Sequence, residues 1–167
     1  MIIRIASIHD VATIREIAFE TWPVAYGTIL SKNQLDYMLE KFYNLKLLKS
    51  QIEESGYQFI LATDAETHIG FASFSPSFED GVYKLHKLYV RPSQQSNGVG
   101  KSLLNFILSE IKSSQSRKLI LNVNRHNSAV QFYLKQGFAI LKEEDIAIGN
   151  GFFMNDFVME LVLVEWS

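Results

Sequence analysis

Leu88-Tyr89-Val90-Arg91-Pro92-Ser93-Gln94-Gln95-Ser96-Asn97-Gly98-Val99-Gly100-Lys101-Ser102-Leu103-Leu104 begins as an apolar strand, breaks at Pro92 and re-enters order through a glycine-bearing turn that opens a helix. Proline has no N–H to give to a strand ladder, so the strand ends before it. Gly98 and Gly100 let the backbone approach a ligand closely. The first N–H groups of the following helix have no intrahelical acceptor and point outward, with the positive end of the helix dipole behind them. The stretch reads as a phosphate cradle and suits a pyrophosphate.

Two kinds of loop share this outline. The tail Asn97-Gly98-Val99-Gly100-Lys101-Ser102 resembles a Walker A loop, which needs a Lys-Ser pair after its second glycine and a first glycine five residues before that one. Lys101-Ser102 supplies the pair, but Gln95 stands where the first glycine is required. The later strand-like segment Lys118-Leu119-Ile120-Leu121-Asn122-Val123 does not end in the aspartate that helps hold magnesium. The same residues fit Gln-x-x-Gly-x-Gly, as Gln95, Gly98 and Gly100, preceded by Leu88-Tyr89-Val90 and Pro92. In this form the chain resembles the GNAT superfamily of N-acetyltransferases, whose pyrophosphate motif has that pattern. Asn124-Arg125-His126-Asn127-Ser128-Ala129-Val130-Gln131-Phe132-Tyr133-Leu134-Lys135-Gln136-Gly137-Phe138 resembles the family's final helix, with Ala129, Phe132-Tyr133 and Gly137-Phe138 at the matching places. The two motifs stand in the family's order and spacing. The resemblance covers the whole chain, with the weakest match between Thr21 and Glu54.

Composition fits this reading. A chain of 167 residues with 47% hydrophobic and 20% charged residues suits one domain, spanning 1–167, around a single core. No apolar run is long enough to span a bilayer, and Met1-Ile2-Ile3-Arg4-Ile5 lacks the layout of a signal peptide, so a cytoplasmic protein without a membrane partner is expected. With no cysteine, disulfides, thiolate metal sites and an acyl-cysteine intermediate are excluded, and the four histidines show no metal-ligand spacing. A net charge of −2 offers no general attraction for nucleic acid.

Periodicity orders the elements. Ile2 to Ala6 is strand-like; Ser7 and Asp10 form a capping-box pattern ahead of Ile8, Val11, Ile14, Ile17 and Ala18 at helical spacing. Pro23 is expected to end or kink that helix. Ser31 with Gln34 opens a helix carrying Leu35, Met38, Leu39 and Phe42, and a third passes through Leu45, Leu48 and Ile52 to stop near Gly56. Tyr57 to Ala62, Ile69 to Phe74 and Val82 to Val90 read as strands. Val99 to Ile111 is helical, Leu119 to Val123 a buried strand and Ser128 to Gln136 a helix. Phe138 to Ile148 and Phe152 to Val164 form a closing antiparallel pair around Gly149-Asn150-Gly151.

This is a mixed α/β pattern, and the resemblance implies the GNAT fold. That fold is a central mixed, mostly antiparallel, twisted sheet of about seven strands with helices on both faces. The strand before the pyrophosphate loop splays from its parallel neighbour, and the arm of acetyl-CoA lies in the opening. The resemblance assigns backbone amides near Leu88, Tyr89 and Val90 to that arm and to the thioester carbonyl. It assigns Gln95, Ser96, Asn97, Gly98, Val99, Gly100, Lys101 and Ser102 to the pyrophosphate.

Acyl transfer to an amine makes three demands. The amine must attack as free base, the carbonyl oxygen needs a hydrogen-bond donor and the departing thiolate benefits from a proton. Tyr133 falls on the family's tyrosine that gives this proton, whereas Phe132 packs. Many members carry an asparagine three residues before the helix alanine; here that position is His126, and Asn127 or Asn124 stands in for it. Many also place a glutamate, acting as base through water, on the strand before the loop. Lys84 occupies that position, and a lysine is a poor base unless desolvation lowers its pKa. His86 shares the strand face of Lys84 at a period of two and has a pKa suited to proton transfer. Glu20, Glu79, Asp80, Glu143 and Glu144 are further carboxylates, so the base is left open.

For the acceptor, Phe19-Glu20-Thr21-Trp22-Pro23-Val24-Ala25-Tyr26 and Ile148-Gly149-Asn150-Gly151-Phe152-Phe153-Met154-Asn155-Asp156 resemble the branch containing PaiA-type polyamine acetyltransferases. A polyamine pocket needs carboxylates and aromatic faces, which Glu20, Trp22, Tyr26, Asp36 and Tyr37 are placed to supply. The expected activity is direct transfer from acetyl-CoA to a small-molecule amine. The competing reading is a coenzyme A binding sensor without turnover, motivated by the missing strand glutamate. The apolar strand Phe157-Val158-Met159-Glu160-Leu161-Val162-Leu163 leaves a homodimer open, through pairing with a second subunit, against an internal position in the sheet.

Overall fold

Alternation at a period of two sends neighbouring residues of the central strands to opposite layers, and this divides the core in two. In the computed structural model, which describes residues 1–163, Phe59, Leu61 and Phe71 pack with the first three helices, while Ile60, Ala62, Ala72 and Phe74 pack with the last two. In chain order the elements are β1 (Ile2–Ile5), α1 (Val11–Tyr26), α2 (Lys32–Tyr43), α3 (Leu45–Glu53), β2 (Gln58–Asp64), β3 (Thr67–Pro76) and β4 (Val82–Val90). They continue with α4 (Val99–Lys112), β5 (Lys118–Asn124), α5 (Ala129–Lys135), β6 (Ala139–Gly149) and β7 (Phe152–Val162). Short 3-10 turns at Ile8–Asp10 and Pro92–Gln94 precede α1 and α4. Val164, expected at the end of the closing strand, lies outside the described residues.

The strands form one sheet in the order β1-β2-β3-β4-β5-β7-β6. All pairs are antiparallel except β4 with β5. That parallel pair is in register only from Val82–Lys118 to Leu85–Leu121, after which the two strands diverge. The cause is visible on the other edge of β4. Phe74 of β3 faces Leu85 while Ser73 faces Lys87, so His86 is the extra residue of a β-bulge, which bends and twists its strand.

Two expectations are corrected. Pro23 does not end α1, which runs to Tyr26; it sits in the last turn, where it forfeits one backbone bond, and Gly27 N–H still reaches Pro23 O at 3.0 Å. The apolar strand β7 has both edges used, by β5 and by β6, so its backbone is not free to pair with a second subunit. Its hairpin is latched to α2, where Tyr37 Oη donates to Ile148 O at 2.7 Å and Gln34 Nε2 to Phe153 O at 2.7 Å.

The start of α1 is fixed as the capping box predicts. Ser7 N–H donates to Asp10 Oδ2 at 2.8 Å, and Arg4 grips the same carboxylate with Nη1 at 2.9 Å and Nη2 at 2.8 Å. Arg4 holds the Asp10 pKa down at about 2 from its usual 3.8. A folded-state pKa below the unfolded value contributes stability above the unfolded pKa, which is lost as pH falls through the folded one. Because Arg4 is half exposed, Asp10→Asn is expected to cost about 1 kcal/mol at pH 7. Thermal unfolding of parent and variant should converge as pH falls from about 4 to 2; a gap that persists at pH 2 contradicts the assignment.

Candidate active site

The cradle is built by the chain leaving β4. Arg91 turns the corner, with its N–H on Ile69 O at 2.8 Å and its Nε on His68 O at 2.6 Å, and Gln95 Nε2 ties the loop back to Val90 O at 3.1 Å. Gly98 then takes φ +77°, a left-handed conformation that L side chains resist, and α4 starts at Val99. Some of the expected donors are used internally. Gln95 N–H reaches Pro92 O and Asn97 N–H reaches Gln94 O, both at 3.4 Å, and Ser102 N–H bonds Gly98 O at 3.0 Å. The amides of Ser96, Gly98, Val99, Gly100 and Lys101 have no acceptor among the described residues. Five unpartnered donors at a helix N-terminus fit a pyrophosphate. Phe132 packs beneath them, 3.5 Å from where a Cβ on Gly100 would stand.

Beyond Leu85 and Leu121 the diverging strands open into a cavity of about 330 Å³. Leu88 and Tyr89 line it from β4, and Asn122, Val123 and Asn124 line it from β5. Val90 does not; its side chain is buried in the core under α4.

Tyr133 lines the cavity from α5. Its ring packs edge-on against Phe132 (5.2 Å between centroids) and Phe138 (5.4 Å), and its hydroxyl has no hydrogen-bond partner among the described residues. Burial, with a smaller contribution from Tyr26, pushes the Tyr133 pKa well above that of a free phenol. It is a neutral donor across the physiological range.

The turn into α5 separates the two candidates for the missing asparagine from the histidine beside them. His126 is exposed and does not line the cavity. Asn127 is buried and lines it, with Oδ1 accepting Ala129 N–H at 2.9 Å. Asn124 also lines it, with Oδ1 accepting His126 N–H at 2.9 Å. Both amide oxygens are spent on the turn; the Asn127 –NH₂ is turned to the Tyr26 hydroxyl, and the Asn124 –NH₂ is the end left for a ligand.

On the acceptor side Trp22 and Tyr26 line the cavity as expected, within an aromatic group where Tyr26 Oη lies 3.1 Å from Tyr89 Oη. Glu20 does not take part: its carboxylate pairs with Arg91 outside the cavity. Asp36 is likewise paired with Lys32 at 2.7 Å on the surface, and Tyr37 is spent on the hairpin. His86 does line the cavity, stacked on Tyr57 at 4.1 Å with Nε2 2.7 Å from Ser75 Oγ. Burial first, then Lys84 and Lys87, lower its pKa to about 4. At neutral pH it is uncharged and a weak base.

Two charged lining residues escaped the sequence reading. Asp156 is 2% exposed, and its carboxylate receives one hydrogen bond among the described residues, from Asn122 Nδ2 at 3.4 Å. Burial raises its pKa. The signal was there: at a period of two from Met154 and Val158, a carboxylate is carried to the inward face of β7. Lys87 is the other. Strict alternation from Lys84 turns it to the opposite face, and only the bulge returns it to the cavity.

The acetyltransferase (GNAT) domain family matches residues 28–161. Over 163 residues, 95% of this chain and 94% of the relative, the sequence is 32% identical to the spermidine N(1)-acetyltransferase of Thermoplasma acidophilum. Over 115 residues, 66% of this chain and 67% of the relative, it is 24% identical to the L-methionine sulfoximine/L-methionine sulfone acetyltransferase of Salmonella typhimurium. The fold matches the crystal structure of the PaiA N-acetyltransferase from T. acidophilum in complex with coenzyme A, with a TM-score of 0.82 and 29% identity over 98% of this chain and 100% of that one. Since the domain match and a relative of nearly equal length agree, and neither depends on the geometry above, the chain belongs to the GNAT superfamily of N-acetyltransferases.

Proposed function

We propose that this protein transfers the acetyl group of acetyl-CoA to the primary amine of a small molecule, in a ternary complex. The observation that carries the reading is that one cavity, opening where β4 leaves β5, is lined both by Tyr133 and by the buried carboxylate of Asp156. The thioester supplies an activated acetyl carbonyl. The free amides of Ser96 and Gly98 to Lys101 hold the pyrophosphate, and the exposed edge of β4 with Asn124 and Asn127 aligns the arm.

Asp156 receives the acceptor's ammonium and takes one proton from it, so that the nitrogen then attacks as free amine, a role helped by burial, which makes the carboxylate more basic. The second proton, shed by the new amide nitrogen as the C–S bond breaks, balances the one given to the sulfur. Tyr133 donates to the sulfur as negative charge develops there. Transfer is direct, because the chain has no cysteine to carry the acetyl group. The activity named for the Thermoplasma relative puts polyamines within the class of acceptors to be tried.

Acetyl-CoA should raise the thermal midpoint of the protein, and magnesium-ATP should not, since a ligand that binds only the folded state stabilises it. With a panel of primary amines, thiol release should follow. Asp156→Asn is expected to lower kcat/KM for the amine at least about tenfold while keeping the thermal shift with acetyl-CoA. A shift without transfer to any amine would leave a coenzyme A sensor in place of the enzyme. A shift with magnesium-ATP alone would restore the Walker reading.

A further inference from the structure

Resting on that reading, we propose that the acceptor carries an anionic group of the carboxylate class at the end remote from its reacting amine, docked on Lys87 and Gln51. These two side chains line the cavity and form a pair of donors with no anionic partner among the described residues. Lys87 Nζ gives its one hydrogen bond to Gln51 Oε1 at 3.1 Å, which leaves the Gln51 –NH₂ as a further donor. The buried indole N–H of Trp22 is turned to the Tyr43 hydroxyl and away from the cavity, so Lys87 and Gln51 are the donors a ligand meets there. A buried ammonium without a counter-charge is costly; a ligand carboxylate would supply that charge and accept from the Gln51 –NH₂ as well.

The same residues oppose a polycation. One aromatic face of the lining is already taken by a cation, with Lys87 Nζ 4.9 Å from the Tyr43 centroid and 5.4 Å from that of Phe59. Lys84 adds a second cation to the lining. Asp156 is the one carboxylate there among the described residues, at the reacting end, and Glu20 and Asp36, which a polyamine would need, are paired elsewhere. Burial alone lowers the Lys87 pKa, to about 8, so its ammonium is charged at pH 7. A diamine would set its distal charge against that ammonium, and an amino acid would meet it with the opposite charge.

The test varies only the distal charge. Initial rates of thiol release are measured with acetyl-CoA and three acceptors of equal length, an ω-amino carboxylate, an alkylamine and an α,ω-diamine, for chains of three to six carbons, with α-amino acids alongside. The expected order of kcat/KM is carboxylate, then neutral, then diamine, with at least about tenfold between the first and the last. Lys87→Met should remove most of that advantage through KM and bring the diamine level or ahead, with Lys87→Arg retaining the carboxylate preference. An equal loss for all three acceptors in Lys87→Met would mark a structural role and overturn the proposal. A diamine preferred by the parent protein would overturn it too, while leaving the proposed acetyl transfer intact. No transfer to any member of the series, despite a thermal shift with acetyl-CoA, would remove both.

Discussion

Tyr133→Phe should lower kcat by about 10²- to 10⁴-fold while leaving the fold and the thermal shift with acetyl-CoA in place. The substitution removes one hydroxyl that has no partner among the described residues, so no internal hydrogen bond is lost and stability should change by less than about 1 kcal/mol. The ring keeps its edge-on contacts with Phe132 and Phe138. What disappears is the donor available to the leaving sulfur. The raised pKa of the phenol adds a condition: Tyr133 stays protonated through the neutral range, so it should contribute no alkaline limb to the pH profile of the parent below about pH 10. Steady-state thiol release for parent and variant decides the matter; an unchanged kcat would return Tyr133 to the core as a packing residue.

Phe71→Ala should cost about 3–5 kcal/mol, the largest stability effect expected of a single side chain near the site. Phe71 has no exposed surface and stands on β3, in the middle of the sheet. It meets Tyr43 edge-on at 6.2 Å and Tyr89 at 5.9 Å, and both of those rings line the cavity. Truncation leaves a void beneath them that rigid neighbouring strands cannot fill. Urea unfolding should therefore show a lower midpoint at an unchanged slope. The surviving folded protein should show a higher KM for the amine, because the floor of the acceptor side has lost its support. A loss below 1 kcal/mol would mean that the aromatic group repacks freely.

The parts of the protein set by local chemistry were legible in the chain. Ser7 with Asp10, Ser31 with Gln34, and the run from Leu88 to Leu104 each hold their structure through residues a few positions apart, and each takes the local structure expected of it, a capped helix start or a strand, turn and helix. The acceptor side was not legible, because it depends on how far-apart segments meet. Glu20 looked available until Arg91, 71 positions later, was seen to pair with it. Lys87 was hidden by a single inserted residue, since register beyond a bulge cannot be counted from period two. Asp156 was quoted for its neighbours, although a carboxylate among alternating apolar residues was itself the sign. Pro23 was overread because a proline costs one hydrogen bond in a last turn and far more in a helix middle.

The short register between β4 and β5 bears on more than the shape of the opening. Four residue pairs join the half-sheet β1–β4 to the half-sheet β5–β7, whereas each half is laced internally along most of its strands. The seam is as short as the four-pair edge between β1 and β2 and shorter than every other pairing in the sheet, and it coincides with the place where a ligand bearing amide groups would lie. Such a ligand would add rungs along the unpaired part of β4, on top of the core that Leu119, Leu121 and Met159 already share with Ile60, Ala72 and Phe74 across the seam. Occupancy and mechanical unity of the sheet then rise and fall together, a coupling written into strand order.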